Sequence, residues 1–359
     1  GRNALLKMSA GVEKITESAY EGINFLFGDL TSGDGFIFAF EALGIIVFYS
    51  ALIAVLYHLG VMQLLVDAIG GFLSKLLGTT KVESLSAAAN IFLGHTEAPL
   101  VVKPYMKKIT NSELFAIMVG GFASVSGSVL VGYSLMGIPL NYLLAASVMA
   151  APAGLLMAKL VYPMPKEMDK EAEKALEAEI EAEEEENEEK IGIIEAAANG
   201  AAEGLQMALN IGGMLLAFIA LIAVVNNLIG WVGGWFGYGD ITLQSILGVI
   251  FSPLMIAIGV VPEEAIMAGG FIGQKIVINE FVAFSDFGAI VDQMSEKTVM
   301  ILTFALCGFG NFGSIAGQIG GLGTLAPNRR SDVANMGLRA MITGSLASLL
   351  NATIAGMLL

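Results

Sequence analysis

The chain has 359 residues, of which 55 % are hydrophobic and only 14 % are charged, whereas a soluble domain usually carries about 25 % charged residues. The formal net charge of −15 and the lack of a basic stripe are not typical of a protein that binds nucleic acid. The single cysteine, Cys307, excludes an intramolecular disulfide and a cysteine-based metal cluster.

Residues 5–25 mix apolar and charged positions at helical spacing, which predicts an interfacial helix that lies along a membrane surface. A linker helix in water is the alternative. The chain begins at Gly1 rather than Met and shows no signal peptide, so we expect further segments to precede it.

Long apolar blocks follow, and they predict an all-α polytopic membrane protein. A helix of about 20 apolar residues spans the hydrocarbon core of a bilayer, which is about 30 Å thick. The blocks are 36–59, 114–135, 140–161 and 207–230, with further apolar stretches at 241–261, 299–322 and 336–359.

Two segments, 86–100 and 270–281, predict re-entrant hairpins that enter the membrane and turn back. Each pairs a short apolar flank with an acid in apolar surroundings, Glu97 in the first and Glu280 in the second. An ionisable residue in a membrane segment indicates a functional site, because burying it is costly. A structural ion pair, for example between Glu280 and Lys275, is the alternative.

Two glycine-rich stretches, 120–128 and 308–314, interrupt apolar segments and predict broken helices. Glycine permits unwinding and close backbone approach, and the freed carbonyl groups can coordinate a cation. Tight packing of small residues between helices is the alternative. Because each stretch also contains Asn or Ser, we favour a binding site.

The stretch 166–190 holds 13 acidic and 4 basic residues, and its like-charge repulsion predicts a solvated linker between two halves of the chain. The halves share a pattern of polar pairs, a weak internal repeat that is expected of a transporter built from two related halves. The pattern is Thr96-Glu97, Ser112-Glu113 and 121–124 in the first half, and Asn279-Glu280, Ser295-Glu296 and 308–311 in the second.

Basic residues in short loops predict which side of the protein faces the cytoplasm. Two basic clusters are expected there together with the acidic stretch, whereas the C-terminus is expected outside. The clusters are Lys103, Lys107 and Lys108 in the first half, and Arg329, Arg330 and Arg339 in the second.

Motifs for ATP use and for covalent catalysis are absent from the sequence. It has no phosphate-binding Gly-Lys-Ser/Thr loop, no His-Glu-x-x-His motif and no Gly-x-Ser-x-Gly turn. The only two histidines, His58 and His95, are far apart along the chain, so we expect no histidine metal site. The sequence therefore predicts a secondary transporter and not an enzyme.

Six stretches closely resemble the concentrative nucleoside transporter family, particularly its bacterial sodium-coupled members. They are SAAANIFLGHTEAPLVVKPYM, SELFAIMVGGFASVSGSVLVGY, GLQMALNIGGMLLAF, NEFVAF, LCGFGNFGSIA and GGLGTLAPNRRSD. The resemblance covers most of residues 20–359. It implies a homotrimer in the bacterial inner membrane that imports nucleosides such as uridine or adenosine together with Na⁺, without another cofactor.

The resemblance also implies an inverted-repeat fold with two re-entrant hairpins and two broken helices, in which a transport domain moves like an elevator against a scaffold. The implied segments are 1–80 for the interfacial helix and scaffold helices, 81–165 for the first half of the transport domain, 166–192 for the cytoplasmic linker, 193–240 for a scaffold helix, and 241–359 for the second half of the transport domain.

The family's binding residues map onto matching positions of this chain. The nucleobase would lie against the first hairpin, at Gly94, His95, Thr96 and Glu97, with Val129 and Met207 nearby. The ribose hydroxyls would be bound by Glu280, Asn311 and Ser314, with Phe309 packed beside them. Sodium would be bound by the side chains of Asn90 and Ser124 and by the backbone carbonyls of Leu93 and Val125.

One position departs from the family, because familiar members carry Gln where this chain has His95. A neutral histidine offers one donor and one acceptor in a different geometry from an amide, so the base preference stays open. Histidine also titrates near neutral pH, which keeps a proton-coupled nucleoside transporter as an alternative. An elevator transporter for another small polar solute is a further alternative.

Overall fold

The structure, a computed structural model, describes residues 2–31, 37–95, 97–106, 108–164 and 192–358. Within these ranges the chain consists of helices and connecting turns without β-strands. The acidic linker predicted for 166–190 lies outside the described residues, as do Thr96 and Lys107.

The first half of the chain contains seven helices in the part that the structure describes. They are α1 (Arg2–Phe27), α2 (Ala42–His58), α3 (Val61–Leu77), α4 (Lys81–Ala89), α5 (Asn111–Ala123), α6 (Gly127–Leu135) and α7 (Leu140–Val161). A 3₁₀ segment, Ala98–Tyr105, follows α4 and packs against it, so the chain turns back as the predicted first hairpin.

The second half repeats this order of elements. Its helices in the described ranges are α8 (Ile193–Gly234), α9 (Leu243–Ala257), α10 (Ala265–Val277), α11 (Glu280–Gly288), α12 (Glu296–Leu306), α13 (Phe312–Leu325) and α14 (Arg330–Met357). The second hairpin is α10–α11, and the second broken helix is α12–α13. Ser112-Glu113 and Ser295-Glu296 lie at the start of α5 and α12, at equivalent places in the two halves.

Four helical stretches in the described ranges are long and apolar enough to cross a membrane: Asn111–Leu135, Leu140–Val161, Ile193–Gly234 and Pro327–Met357. The last three contain α7, α8 and α14. With 42 residues, α8 is about 63 Å long at 1.5 Å per residue, which exceeds the hydrocarbon thickness. Most of its apolar window is exposed, as expected for a helix in contact with lipid.

The apolar blocks are not all single straight helices. The block 36–59 continues into a helix pair, α2 and α3, that bends by 79°. The stretch 241–261 contains the 15-residue α9, and 299–322 is split between α12 and α13, in agreement with the break predicted at 308–314. Hydropathy did not indicate the bend at the Gly60 turn, where φ is +76°.

The first helix break is shorter than the predicted 120–128 stretch. Gly120 and Gly121 lie inside α5, and the chain leaves the helix only at residues 124–126. A Cβ atom on Gly121 would lie 2.8 Å from the Cβ atom of His95. These two glycines therefore serve close packing, which was the alternative interpretation, whereas the serine segment forms the break.

The two basic clusters meet in the structure. The guanidinium of Arg329 donates to the carbonyl oxygen of Ile109 at 2.6 Å and to the Asn111 side chain at 2.5 Å. Ile109 directly follows the lysine cluster that begins at Lys103. Both clusters thus lie at the same end of the bundle, as the predicted orientation requires.

An ion pair between Lys159 of α7 and Glu83 of α4 holds the first hairpin against the bundle. The Glu83 side chain is fully buried and also accepts a hydrogen bond from the Thr80 backbone amide at 3.2 Å. The Lys159 ammonium also donates to the Ser112 hydroxyl at 3.2 Å. A buried carboxylate that loses the cation paired with it is left uncompensated, so this pair should be sensitive to substitution.

Replacing Lys159 by Met is expected to lower the melting temperature of the detergent-solubilised protein. Removing one partner of a buried pair costs about 3–5 kcal/mol, and the partial exposure of Lys159 places the expected loss nearer 2 kcal/mol. The double variant Glu83→Gln/Lys159→Met should recover part of the loss. The control is Lys75→Met at an exposed position of α3, and a Lys159→Met melting temperature equal to that of the control would contradict this prediction.

Candidate binding site at the crossing of two broken helices

The two helix breaks lie against each other and against the tip of the first hairpin. The backbone amide of Phe309 in the second break donates to the carbonyl oxygen of Ser124 in the first, at 3.1 Å. The amide of Gly127 donates to the carbonyl oxygen of Phe92 in the hairpin, at 2.9 Å. Three irregular segments that are distant in sequence therefore form one buried polar region.

Helix α14 closes this region from behind. The Ser348 hydroxyl lies 3.3 Å from the carbonyl oxygen of Cys307 and 3.5 Å from that of Ala123, one at each break. A Cβ atom on Gly308 would lie 2.8 Å from the same hydroxyl oxygen. Glycine at this position thus permits the two breaks and α14 to approach closely.

The tip of the first hairpin presents three of the predicted nucleobase residues. The Gly94 amide donates to Glu97 Oε2 at 3.3 Å, which folds the carboxylate back over the tip. The His95 ring packs on the Phe309 ring with 4.7 Å between centroids and a tilt of 58°. His95 Nδ1 is buried and has no hydrogen-bond partner among the described residues.

Val129 and Met207, the other two residues predicted for the nucleobase, both lie next to serines at the start of α6. Ser126 caps α6 by accepting a hydrogen bond from the Val129 amide at 3.4 Å. The neighbouring Ser128 hydroxyl lies 4.0 Å from the sulfur of Met207, which α8 contributes. A residue of the long helix α8 thus contacts the broken helix α5–α6.

Glu280 is the centre of the second cluster of predicted residues. It is 4 % exposed, and its two carboxylate oxygens accept hydrogen bonds from Tyr133 at 3.2 Å and from Asn311 Nδ2 at 3.0 Å. Asn311 also caps α13, because its side-chain oxygen accepts from the Ser314 amide at 2.8 Å. The half-buried Ser314 side chain lies on the first turn of α13.

Lys275 does not form the ion pair with Glu280 that was the alternative explanation of this acid. Its ammonium donates to the carbonyl oxygen of Ala305 at 2.7 Å, and the part of the chain that the structure describes shows no contact of 4 Å or less between the two charged groups. Glu280 is instead bound by neutral donors, an arrangement that leaves its charge available to a ligand.

The four oxygen atoms predicted to bind sodium are of the type that a small hard cation prefers. The side-chain oxygen of Asn90 is buried without a hydrogen-bond partner, and within the described ranges the carbonyl oxygens of Leu93 and Val125 accept no hydrogen bond. The Ser124 hydroxyl donates to the Gly120 carbonyl oxygen at 2.8 Å, so its lone pairs remain free. Oxygen-only donor sets suit hard cations.

An open cavity of about 1930 Å³ reaches the first cluster from one end of the bundle. It lies between α2, α3 and α8 on one side and the first hairpin and α6 on the other. Among its lining residues are Leu93, Glu97, Ser128 and Met207 of the site, together with Lys103 and Lys108. Because these two lysines belong to the first basic cluster, the cavity reaches the end of the bundle that is predicted to be cytoplasmic.

Sequence reasoning missed four residues of this region. Tyr133 contacts Glu280, and Tyr57 and Glu203 line the cavity near Glu97. Gln318 of α13 donates to the Met118 carbonyl oxygen at 2.9 Å and lies beside Gly121 and His95. Tyr133 and Gln318 lie within apolar helices, where a single polar residue could have been recognised as unusual, whereas Tyr57 and Glu203 carry no such signal.

Comparisons with known protein families cover nearly the whole chain. Residues 142–356 match the family described as the Na⁺-dependent nucleoside transporter C-terminus, and residues 39–140 match a family described as Gate, nucleoside recognition. Together these matches contain both hairpins, both helix breaks and every predicted binding residue.

Individual relatives agree with the family matches. The chain is 45 % identical to the nucleoside permease NupC of Helicobacter pylori over 99 % of this chain and 86 % of the relative. It is 38 % identical to the human sodium/nucleoside cotransporter 1 over 94 % of this chain and 53 % of that protein. These relatives are a permease and a cotransporter rather than enzymes, which confirms that expectation.

Solved structures of CNTnw share the fold. An inward-facing substrate-bound state and an outward-facing state both superpose with a TM-score of 0.92 at 52 % identity, covering 99 % of this chain and 85 % of theirs. With the membrane-length helices described above, this match confirms an all-α, multi-pass membrane fold.

Proposed function

The chain belongs to the concentrative nucleoside transporter family, and on that premise we propose that it imports nucleosides by symport with sodium through an elevator-type movement. The observation that carries the proposal is the buried polar region where the two breaks meet. It joins a base-facing cluster at the hairpin tip, an acid with free acceptor capacity and an oxygen-only cation set. Each of these matches one part of the proposed cargo.

The ribose is assigned to the Glu280 cluster. An ionised carboxylate offers about four acceptor sites, and Tyr133 and Asn311 use one on each oxygen. The remaining sites can accept two hydrogen bonds from a vicinal diol, and Ser314 adds a hydroxyl that both donates and accepts. An analogue without a hydroxyl would leave a buried acceptor unpaired, so the site would discriminate strongly against it.

The nucleobase is assigned to the hairpin tip and its surroundings. His95, Phe309 and Val129 supply flat or apolar surface, while Gly94 and Glu97 supply polar atoms along one edge. Thr96 belongs to the same proposed set. Because the His95 and Phe309 rings are in contact, the base and sugar clusters adjoin each other.

Sodium is assigned to Asn90, Leu93, Ser124 and Val125. Its charge would be compensated by the buried polar surroundings and moved across the membrane together with the nucleoside. One charge moving through 100 mV supplies about 2.3 kcal/mol, and a tenfold sodium gradient adds about 1.4 kcal/mol. Together they would sustain roughly 500-fold accumulation at one ion per substrate.

The elevator movement is proposed for residues 81–165 and 241–359 as the transport domain against 1–80 and 193–240 as the scaffold. The large cavity lies along this boundary and reaches Glu97 and Met207 from the end predicted to be cytoplasmic. In this arrangement it is the release route. A homotrimer and a cytoplasmic linker at 166–192 complete the proposal.

Sodium-dependent uptake of a nucleoside is the central test. Proteoliposomes with an inward sodium gradient should accumulate radiolabelled uridine or adenosine, and collapsing the gradient should reduce uptake to the level of empty vesicles. Uptake without sodium between about pH 5.5 and 8 tests the proton-coupled alternative, because an unperturbed histidine titrates in that range. If no nucleoside tested is taken up faster with sodium, the proposal is wrong.

Asn90→Ala and Ser124→Ala are expected to raise the sodium concentration for half-maximal uptake by about tenfold or more, because each removes an oxygen ligand in a buried site. Nucleoside affinity at saturating sodium should change less. The matched control is Ser84→Ala, which removes a buried hydroxyl from the opposite end of α4. An unchanged sodium dependence in both variants would exclude this ion site.

Glu280→Gln is expected to weaken uridine binding by at least about 100-fold, because it removes charged hydrogen bonds to the diol. Asn311→Ala should also lose binding. Asn311→Ser keeps a cap for α13 but not the donor to Glu280, so it separates helix capping from ligand binding. Isothermal titration in detergent measures each affinity, with Glu296→Gln as control, and normal binding by Glu280→Gln would exclude the ribose assignment.

A further inference from the structure

We propose that Lys275 is a positioning residue of the Glu280 cluster, which sets the distance between Glu280 and Asn311 and compensates the charge of the acid. This inference rests on the proposed function, since it concerns how the same cluster distinguishes ribose from a deoxyribose. It assigns a task to a buried cation that forms no ion pair within the described residues.

The burial of Lys275 demands an explanation. The side chain is 2 % exposed, and its ammonium makes one hydrogen bond within the described ranges, to the Ala305 carbonyl oxygen at 2.7 Å. An ammonium has three donors, and burying one without full pairing is costly. Met or Leu would fill the same volume without that cost, so a purely space-filling role does not account for Lys here.

The hydrogen bond to Ala305 joins two segments that also meet at the binding site. Lys275 lies in the last turn of α10, just before the hairpin tip and Glu280. Ala305 lies in the last turn of α12, just before the break that contains Asn311. The pairs Lys275–Ala305 and Glu280–Asn311 thus connect the same two segments at successive points, and the first constrains the second.

The charge of Lys275 acts on the same two groups. A cation is favourable at the C-terminal ends of α10 and α12, where helix dipoles place partial negative charge. Lys275 and Glu280 are both buried and lie five residues apart across the tip of the second hairpin, so their opposite charges attract each other although the two groups are not in contact. The nearby surroundings are aromatic, with Tyr133 stacked on Phe284 at 4.3 Å between centroids, so solvent screening there is weak. The ammonium therefore favours a carboxylate that is both ionised and correctly placed.

The test compares two ligands that differ in one hydroxyl, so that a general loss of stability cannot imitate the result. Affinities for uridine and 3′-deoxyuridine are measured by titration at saturating sodium, together with melting temperatures. The wild-type protein should prefer uridine by about tenfold or more, because a hydrogen bond to a charged group is lost in the analogue. Lys275→Met should reduce this preference to about threefold or less.

Lys275→Gln separates the two contributions, because an amide can still donate to the Ala305 carbonyl oxygen but carries no charge. We therefore expect its preference for uridine to lie between those of the wild-type protein and Lys275→Met, and it carries the test if the Met variant does not fold. Lys75→Met, at an exposed position of α3, should retain the wild-type preference. If both Lys275 variants keep the full preference while binding both ligands equally more weakly, Lys275 is only structural and the inference is wrong. Failure of the wild-type protein to bind either nucleoside would instead overturn the proposed function, and this inference with it.

Discussion

A helix that is interrupted inside a membrane must satisfy the backbone groups that the interruption frees, because no water is present to do so. The hydrogen bond from the Phe309 amide to the Ser124 carbonyl oxygen meets this requirement for both breaks at once. Ser126 and Asn311 then cap the helices that resume, and Ser348 approaches the carbonyl groups that remain. The site exists where it does because two irregular segments are stable only when they are buried together.

The charged groups of the interior follow the same logic. Glu83 and Lys159 compensate each other directly, whereas Glu280 is bound by the neutral donors Tyr133 and Asn311 and is not in contact with Lys275. A direct ion pair such as Glu83–Lys159 stabilises the positions of both side chains, but it uses the charge and the hydrogen-bonding groups that a ligand would need. A carboxylate that is bound only by neutral donors keeps its charge and part of its acceptor capacity for a ligand. Burying such a group costs free energy, which is expected at a binding site.

Much of the fold and of the candidate site could be predicted from sequence, because polar residues are conspicuous in the long apolar segments that a membrane protein requires. Glu97 and Glu280 were recognisable as acids in apolar segments, and Asn311 as an amide within a glycine-rich interruption. The exact limits of the breaks were not, since Gly120 and Gly121 are compatible with both an unwound segment and close helix packing. Tyr133 was missed, and the partner of Lys275 was predicted wrongly, because their hydrogen bonds join segments that are far apart in the chain. The 79° bend after α2 could not be predicted either, because hydropathy does not indicate the direction in which the next helix continues.

The contact between the two breaks has a thermodynamic consequence. Asn90 and Ser124 lie on one side of it and Glu280 and Asn311 on the other. Phe309 connects the two sides, because its amide donates to the Ser124 carbonyl oxygen and its own carbonyl oxygen accepts from the Asn311 amide at 2.9 Å. In the proposed site, a ligand that orders one break would lower the entropic cost of ordering the other. Such coupling is reciprocal by linkage, so sodium and nucleoside would each raise the affinity of the other by the same factor. The two backbone hydrogen bonds of Phe309 would then be enough to make binding cooperative.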